Sequence, residues 1–289
     1  VASLVLTSSF AFPALVTQCK ACPYVTNVQV YEEKQIVFVR CPNDELACLA
    51  ERLAEFLLVS WLPEKLIAEQ TDAPTRLTNA DVRACVCKVV NEWRRGADIA
   101  EGYRYANWLE RSRRSLYGII AVNHRLSVDG FGHFRLRPLT SVLREVVEAQ
   151  LRRQARELEF ERAVAGLRSI LEKQPLYDEE LHVFCTPDHV YLADRNGAVI
   201  DNPWIDLVSE ADDDSADVDE EDSAMTTLIT RSPRNIVIHD LNPDAQWPSF
   251  SETVLRLFEG RAHICDRCPD RCPWKLVKDC NGVRWGGRR

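Results

Sequence analysis

The sequence has no Gly-x-x-x-x-Gly-Lys loop to cradle a phosphate, no Gly-x-Gly-x-x-Gly dinucleotide turn and no Gly-x-Ser-x-Gly nucleophile turn. The commonest routes to nucleotide binding and serine hydrolysis are therefore missing. No positive charge precedes Lys20, so the apolar opening lacks the charged n-region of a secretory signal. Pro13 and the polar triplet Thr7, Ser8 and Ser9 also weaken it as a membrane helix. A buried first strand followed by a helix is expected there instead. Eleven cysteines are too few, and odd in number, for a small disulfide scaffold, which favours free thiols plus one liganded cluster in a reducing cytoplasm.

What is present fits an ordinary globular protein, with 46% apolar and 28% charged residues over 289 positions. A chain of that length buries a sizeable core without covalent help. The net charge of -8 belongs to one stretch, since ten carboxylates and no basic residue lie between Asp206 and Asp222. Removing those ten from the 44 acidic residues leaves 34 against 36 Lys and Arg, so the rest is nearly neutral. The acidic run is expected as a self-repelling loop, and it lacks the Gly-centred ligand spacing of a calcium loop.

The pattern along the chain indicates an α+β fold. Residues 1–75 read as a β-α-β-β-α unit: the run "SLVLTSS", a helix in "FPALVTQCKAC", a hairpin in "NVQVYEEKQIVFVRC", and a helix from Asp44 to Gln70 that Pro63 kinks or ends. Residues 76–175 form a helical middle, beginning with Asn79 to about Ser127 and ending in the longest helix, Pro138 to Lys173. Between those helices, "VDGFGHFRLRPL" reads as a Gly-containing turn and an extended stretch. Residues 176–264 form a small α/β unit with the acidic loop 206–222 inserted, and 265–289 a Cys-rich tail. In the α/β unit "ELHVFC", "HVYLAD" and "GAVID" are strands with a tight turn at "RNG", and Ser249 or Ser251 caps a helix that Gly260 stops.

The helical middle interleaves arginines with Trp93, Tyr103, Tyr105, Trp108 and Tyr117, a composition that suits stacking and phosphate contact with nucleic acid. Acidic neighbours Glu92, Asp98, Glu101 and Glu110 favour the plainer reading, in which the rings are core and the arginines a solvated face. At the end of the "IVIHD" strand, His239-Asp240 is the one place where an acid–base group is expected to be exposed, although such a pair more often caps a turn.

The densest chemistry is near the carboxyl end. Cys265, Cys268, Cys272 and Cys280 follow C-x2-C-x3-C-x7-C, with His263 two residues before the first. Thiolates at C-x2-C spacing wrap one ion, and four complete a tetrahedral zinc site that would stabilise a tail poor in apolar residues. An iron–sulfur cluster competes, because Cys268-x3-Cys272-Pro273 resembles the end of a bacterial ferredoxin run. A second pair, Cys19 and Cys22, has the same local spacing with Lys20 between, but with no thioredoxin-like unit around it reads more simply as an ordinary surface or buried pair than as a redox one.

Three stretches carry a family resemblance. "GFGHFRLRPL" at 130–139 resembles the Gly-Phe-x-x-Phe-Arg-Leu segment of the YtxC-like sporulation proteins of spore-forming Firmicutes. "MTTLITRSPRNIVIHD" at 225–240 looks like their Ala-Leu-Ile, Ala-Pro, Ile-x-Ile-His signature, and "FEGRAHICDRC" at 258–268 is similar to their closing Phe-x-x-Arg and Cys-x-x-Cys tail. The family tail runs Cys-x-x-Cys-x-x-Cys, whereas here the third interval is longer and Cys280 is added. The resemblance implies a cytoplasmic protein linked to sporulation, with no enzymatic reaction to carry over. The expectation is a non-enzymatic protein that binds an unknown protein partner, with nucleic acid disfavoured and no membrane span.

Overall fold

The computed structural model describes residues 1–70, 77–200, 220–242, 244–268, 274–279 and 282–287. They form two compact units, 1–158 and 159–289. The long helix α7 (Arg137–Leu171) contributes residues to both.

In the first unit, β1 (Ala2–Thr7), α1 (Phe12–Ala21), β2 (Asn27–Tyr31), β3 (Ile36–Cys41) and α2 (Leu46–Phe56) follow the expected β-α-β-β-α order. Alternation makes the sheet: Ala2, Leu4 and Leu6 of β1 and Val37, Val39 and Cys41 of β3 are buried. The strand order is β2-β3-β1-β4, and β4 (Arg125–Ser127) pairs parallel to β1. The chain does not leave helix at Pro63. A widened turn, Leu57–Trp61, precedes α3 (Leu62–Ala68), and Pro63 falls in the first turn of α3, just after this departure from regular α-helical hydrogen bonding. The middle supplies α4 (Asn79–Arg94), capped reciprocally by Thr78 and Asp81, and α5 (Tyr105–Ile120). Trp93 and Trp108 are buried, Trp93 against Tyr105 at 5.1 Å and Trp108 stacked on Tyr103 at 5.7 Å. One apolar core runs from Ala2 through these helices to Leu151.

The expected turn in "VDGFGHFRLRPL" is instead a helix, α6 (Val128–Arg135). Ser127 caps it by accepting from the Gly130 N–H at 3.0 Å. The glycine at 132 serves close approach rather than a turn: a Cβ there would stand 2.5 Å from the fully buried Trp61 ring. Beside it Asp129 accepts from Trp61 Nε1 at 2.7 Å, Ser9 N at 2.6 Å, Ser9 Oγ at 2.8 Å and Ser8 Oγ at 3.0 Å.

The second unit contains a sheet of order β6-β5-β7-β8. Strands β5 (Tyr177–Cys185), β7 (Pro233–Asp240) and β8 (Ala262–Ile264) run parallel, and β6 (Val190–Asp194) is antiparallel to β5. Helix α8 (Glu220–Arg231) precedes β7, and α9 (Phe250–Leu257) makes the crossover that two parallel strands require. Ser249 caps α9, and Gly260, at φ +78°, follows its end. Leu181, Val183 and Cys185 of β5 and Ile236 and Ile238 of β7 face a core completed by Leu228, Val254, Leu257 and Phe258. A hairpin of β9 (Trp274–Asp279) and β10 (Gly282–Gly287) lies near the chain end. Most of the acidic run, 206–219, lies outside the described residues, while Glu220, Glu221 and Asp222 form the first turn of α8. Among the described residues no helix is long and apolar enough to cross a membrane.

Candidate metal centre

Strand alternation dictates what stands on the other face of the second sheet. With Leu181, Val183 and Cys185 committed to the core, His182 and Phe184 project oppositely. In β7 the same rule sends Ile236 and Ile238 inward and His239 outward. The register then places Phe184 beside His239, and their rings stack at 4.4 Å with 9° between planes. His182 lies along the same face, with its ring 5.2 Å from that of His239.

On the neighbouring strand Ile238 pairs with Ile264, and the Cys265 N–H donates to the Ile238 carbonyl at 2.8 Å. The strand therefore delivers Cys265 alongside His239, at the carboxyl ends of the parallel strands where α/β sheets commonly place ligands. A turn follows, and Cys268 Sγ comes back to 3.5 Å from His239 Nδ1. His239, Cys265 and Cys268 each offer one ligand atom, and these atoms lie within 4.8 Å of one another. His239 is buried and both thiols are half-buried.

The other nitrogen of the imidazole is engaged as well. His239 Nε2 lies 2.9 Å from His182 Nδ1, and His182 Nε2 lies 3.6 Å from Glu180 Oε1. Glu180 in turn accepts from Asn235 Nδ2 at 2.6 Å. Burial disfavours the imidazolium of His239, and the adjacent His182 and His263 push it further, to about 4. Burial likewise lowers His182, against the opposing pull of Glu180. Both rings are neutral near pH 7, the form in which an imidazole ligates a metal.

Of the sequence-derived ligand set, Cys265 and Cys268 are brought together. His263 is exposed on β8 and outside this three-residue group, while Cys272 and Cys280 lie outside the described residues. His239 is a candidate donor that the sequence reading did not include in its ligand set. It is not the exposed acid–base group expected of His239-Asp240, because only 1% of it reaches solvent. Asp240 does cap the following turn, accepting from Asn242 N at 3.1 Å and Ser251 Oγ at 2.9 Å. The available signal was the pairing of an Ile-x-Ile-His strand with a strand ending in cysteine, which becomes visible only once those strands are taken as neighbours.

The other cysteines are placed differently. Cys22 has its sulfur 3.8 Å from that of Cys48. Burial pushes Cys19 and Cys185 up to about 12 and Cys41 to about 11, so these are inert core thiols. No curated protein and no solved structure matches the chain. The YtxC-like family model matches residues 58–263, from the widened turn before α3 to β8, and thus includes His239 but stops short of Cys265. With well over half of its length covered by that match, the chain belongs to the YtxC-like family.

Proposed function

We propose that this protein is a non-enzymatic, partner-binding protein of sporulating cells, acting in the cytoplasm, whose C-terminal unit is organised by a structural zinc ion. One observation carries the metal reading: a buried neutral imidazole and two thiols offer ligand atoms within 4.8 Å of one another at one end of a parallel sheet. Zinc–nitrogen and zinc–sulfur bonds of about 2.0–2.3 Å hold the donors of one ion within roughly 4.6 Å of each other, so a small inward shift of these side chains brings a spread of up to 4.8 Å onto one ion. An iron–sulfur cluster spreads its ligands over separate iron atoms, so a set this tight suits a single ion better. The spacing C-x2-C-x3-C-x7-C leaves Cys272 or Cys280 to supply the fourth donor. Zinc bound there would neutralise the thiolates and stabilise a tail with little apolar surface of its own. The role in sporulation rests on the family resemblance, and a complete set of protein ligands would leave no open position for chemistry.

The test is metal analysis and visible absorption of the full chain purified without oxygen or chelator. One zinc per chain and no colour are expected, with zinc lost from the Cys265→Ser, Cys268→Ser and His239→Ala variants. A broad charge-transfer band with bound iron would replace zinc by the iron–sulfur alternative. Absence of both metals would remove the metal centre altogether.

A further inference from the structure

We propose that His182 and Glu180 are positioning residues of this centre: they fix the tautomer and ring orientation of His239, so that its Nδ1 lone pair is presented to the ion together with Cys265 and Cys268. The inference rests on the metal reading and adds two residues that the ligand set does not contain.

The argument follows one proton along a line of contacts. His182 Nδ1 and His239 Nε2 are 2.9 Å apart, so one of the two nitrogens donates and the other accepts. The outer end of the line decides which. Glu180 Oε1 lies 3.6 Å from His182 Nε2, and a carboxylate beside that nitrogen favours a proton on it. A neutral His182 protonated at Nε2 has a bare Nδ1, which accepts. His239 must then carry its proton on Nε2, which leaves its Nδ1 bare. That bare nitrogen is the one 3.5 Å from Cys268 Sγ. Asn235 holds Glu180 from the far side at 2.6 Å, so the carboxylate is itself fixed in place.

Three features beyond the hydrogen bonds fit this role. Glu180, His182, Asn235 and His239 all stand on β5 and β7, whose register from Glu180↔Asn235 to Cys185↔Asp240 is unbroken. The line is therefore built on rigid strands rather than loops. Phe184 stacks flat on His239 at 4.4 Å and restricts rotation of the ring. His182 and His239 are 6% and 1% exposed, so water does not readily replace the contact between them. Supporting hydrogen bonds of this kind orient metal-bound imidazoles and raise their donor strength, and losing one typically weakens metal binding by about 10–100-fold.

The experiment titrates zinc against a chromophoric chelator, and records the cobalt(II) spectrum, for the parent chain and three variants. His182→Phe keeps a ring of similar size but removes the acceptor. It is expected to bind zinc about 10–100-fold more weakly and to shift the cobalt ligand-field bands. His182→Asn retains an acceptor oxygen near the position of Nδ1 and is expected to recover most of the affinity and the parent spectrum, a rescue that mere filling of space does not predict. Glu180→Gln removes the anchoring charge at a half-exposed position and is expected to weaken zinc binding by a smaller factor. If His182→Phe does not fold, Glu180→Gln decides, and parent-like affinity with an unchanged cobalt spectrum overturns the proposal. Parent-like behaviour of a folded His182→Phe protein also overturns it, while leaving the metal centre intact. If the parent chain itself binds neither zinc nor cobalt, the metal reading fails first and the positioning role with it.

Discussion

Gly132 and Asp129 show what single residues contribute to the first unit. A methyl group at 132 meets the six-membered ring of Trp61, which is completely enclosed and has nowhere to move. Gly132→Ala is therefore expected to destabilise by about 1–3 kcal/mol, read as a lowered denaturant midpoint at constant slope. For Asp129, burial opposes the charge, but the Ser9 N–H, the Trp61 indole and the Ser9 and Ser8 hydroxyls outweigh it and hold the carboxyl below its usual range. A depressed carboxylate stabilises the fold above the unfolded-state value of about 3.9 and loses that contribution as pH falls through the lower folded-state value. Asp129→Asn should accordingly cost about 1–3 kcal/mol at neutral pH, and the difference between it and the parent should shrink below about pH 4. Thiol labelling offers a further check at this scale. The exposed Cys87 should react with a maleimide well before the buried Cys19, Cys41 and Cys185, and a reversed order in mass mapping would contradict the burial described.

At the scale of elements, caps and periodicity were the readable part of the sequence. Ser249 accepts from the Glu252 N–H at 3.2 Å, as its position before an apolar-periodic run suggests. Ser249→Ala should cost about 1 kcal/mol, measurable by thermal unfolding. The apolar run around Leu4 and Leu6 marked β1, the alternation through Val37 and Val39 marked β3, and the spacing of Leu49, Leu53 and Phe56 marked α2, because the two periodicities follow directly from backbone geometry. Three features were not legible. β4 is three residues long and earns its assignment only by lying beside β1, a partner more than a hundred positions away. In α6, glycine ordinarily signals a turn, whereas here its lack of a side chain admits Trp61. His239 joins Cys265 and Cys268 through the register between β7 and β8, and no local spacing encodes a register.

For the whole molecule, the division into two compact units makes a calorimetric prediction. The unit at 1–158 is built on the core from Ala2 to Leu151, and the unit at 159–289 on one that includes Leu181, Ile236, Val254 and Phe258. If the zinc reading holds, chelation should lower the unfolding temperature of one transition and leave the other unmoved, since an ion stabilises only the state that binds it. A single transition lowered as a whole would instead mean that the two units unfold together.

The shortness of β8 has its own consequence. Three residues at a sheet margin give few hydrogen bonds against fraying, yet this strand carries the backbone that leads into two of the three donors. An ion shared with His239 would act as a clasp across that margin, fastening β8 to its neighbour β7. Deuterium uptake at the Cys265 amide, which donates to Ile238, should slow when zinc is added, and the change should vanish in the Cys268→Ser protein.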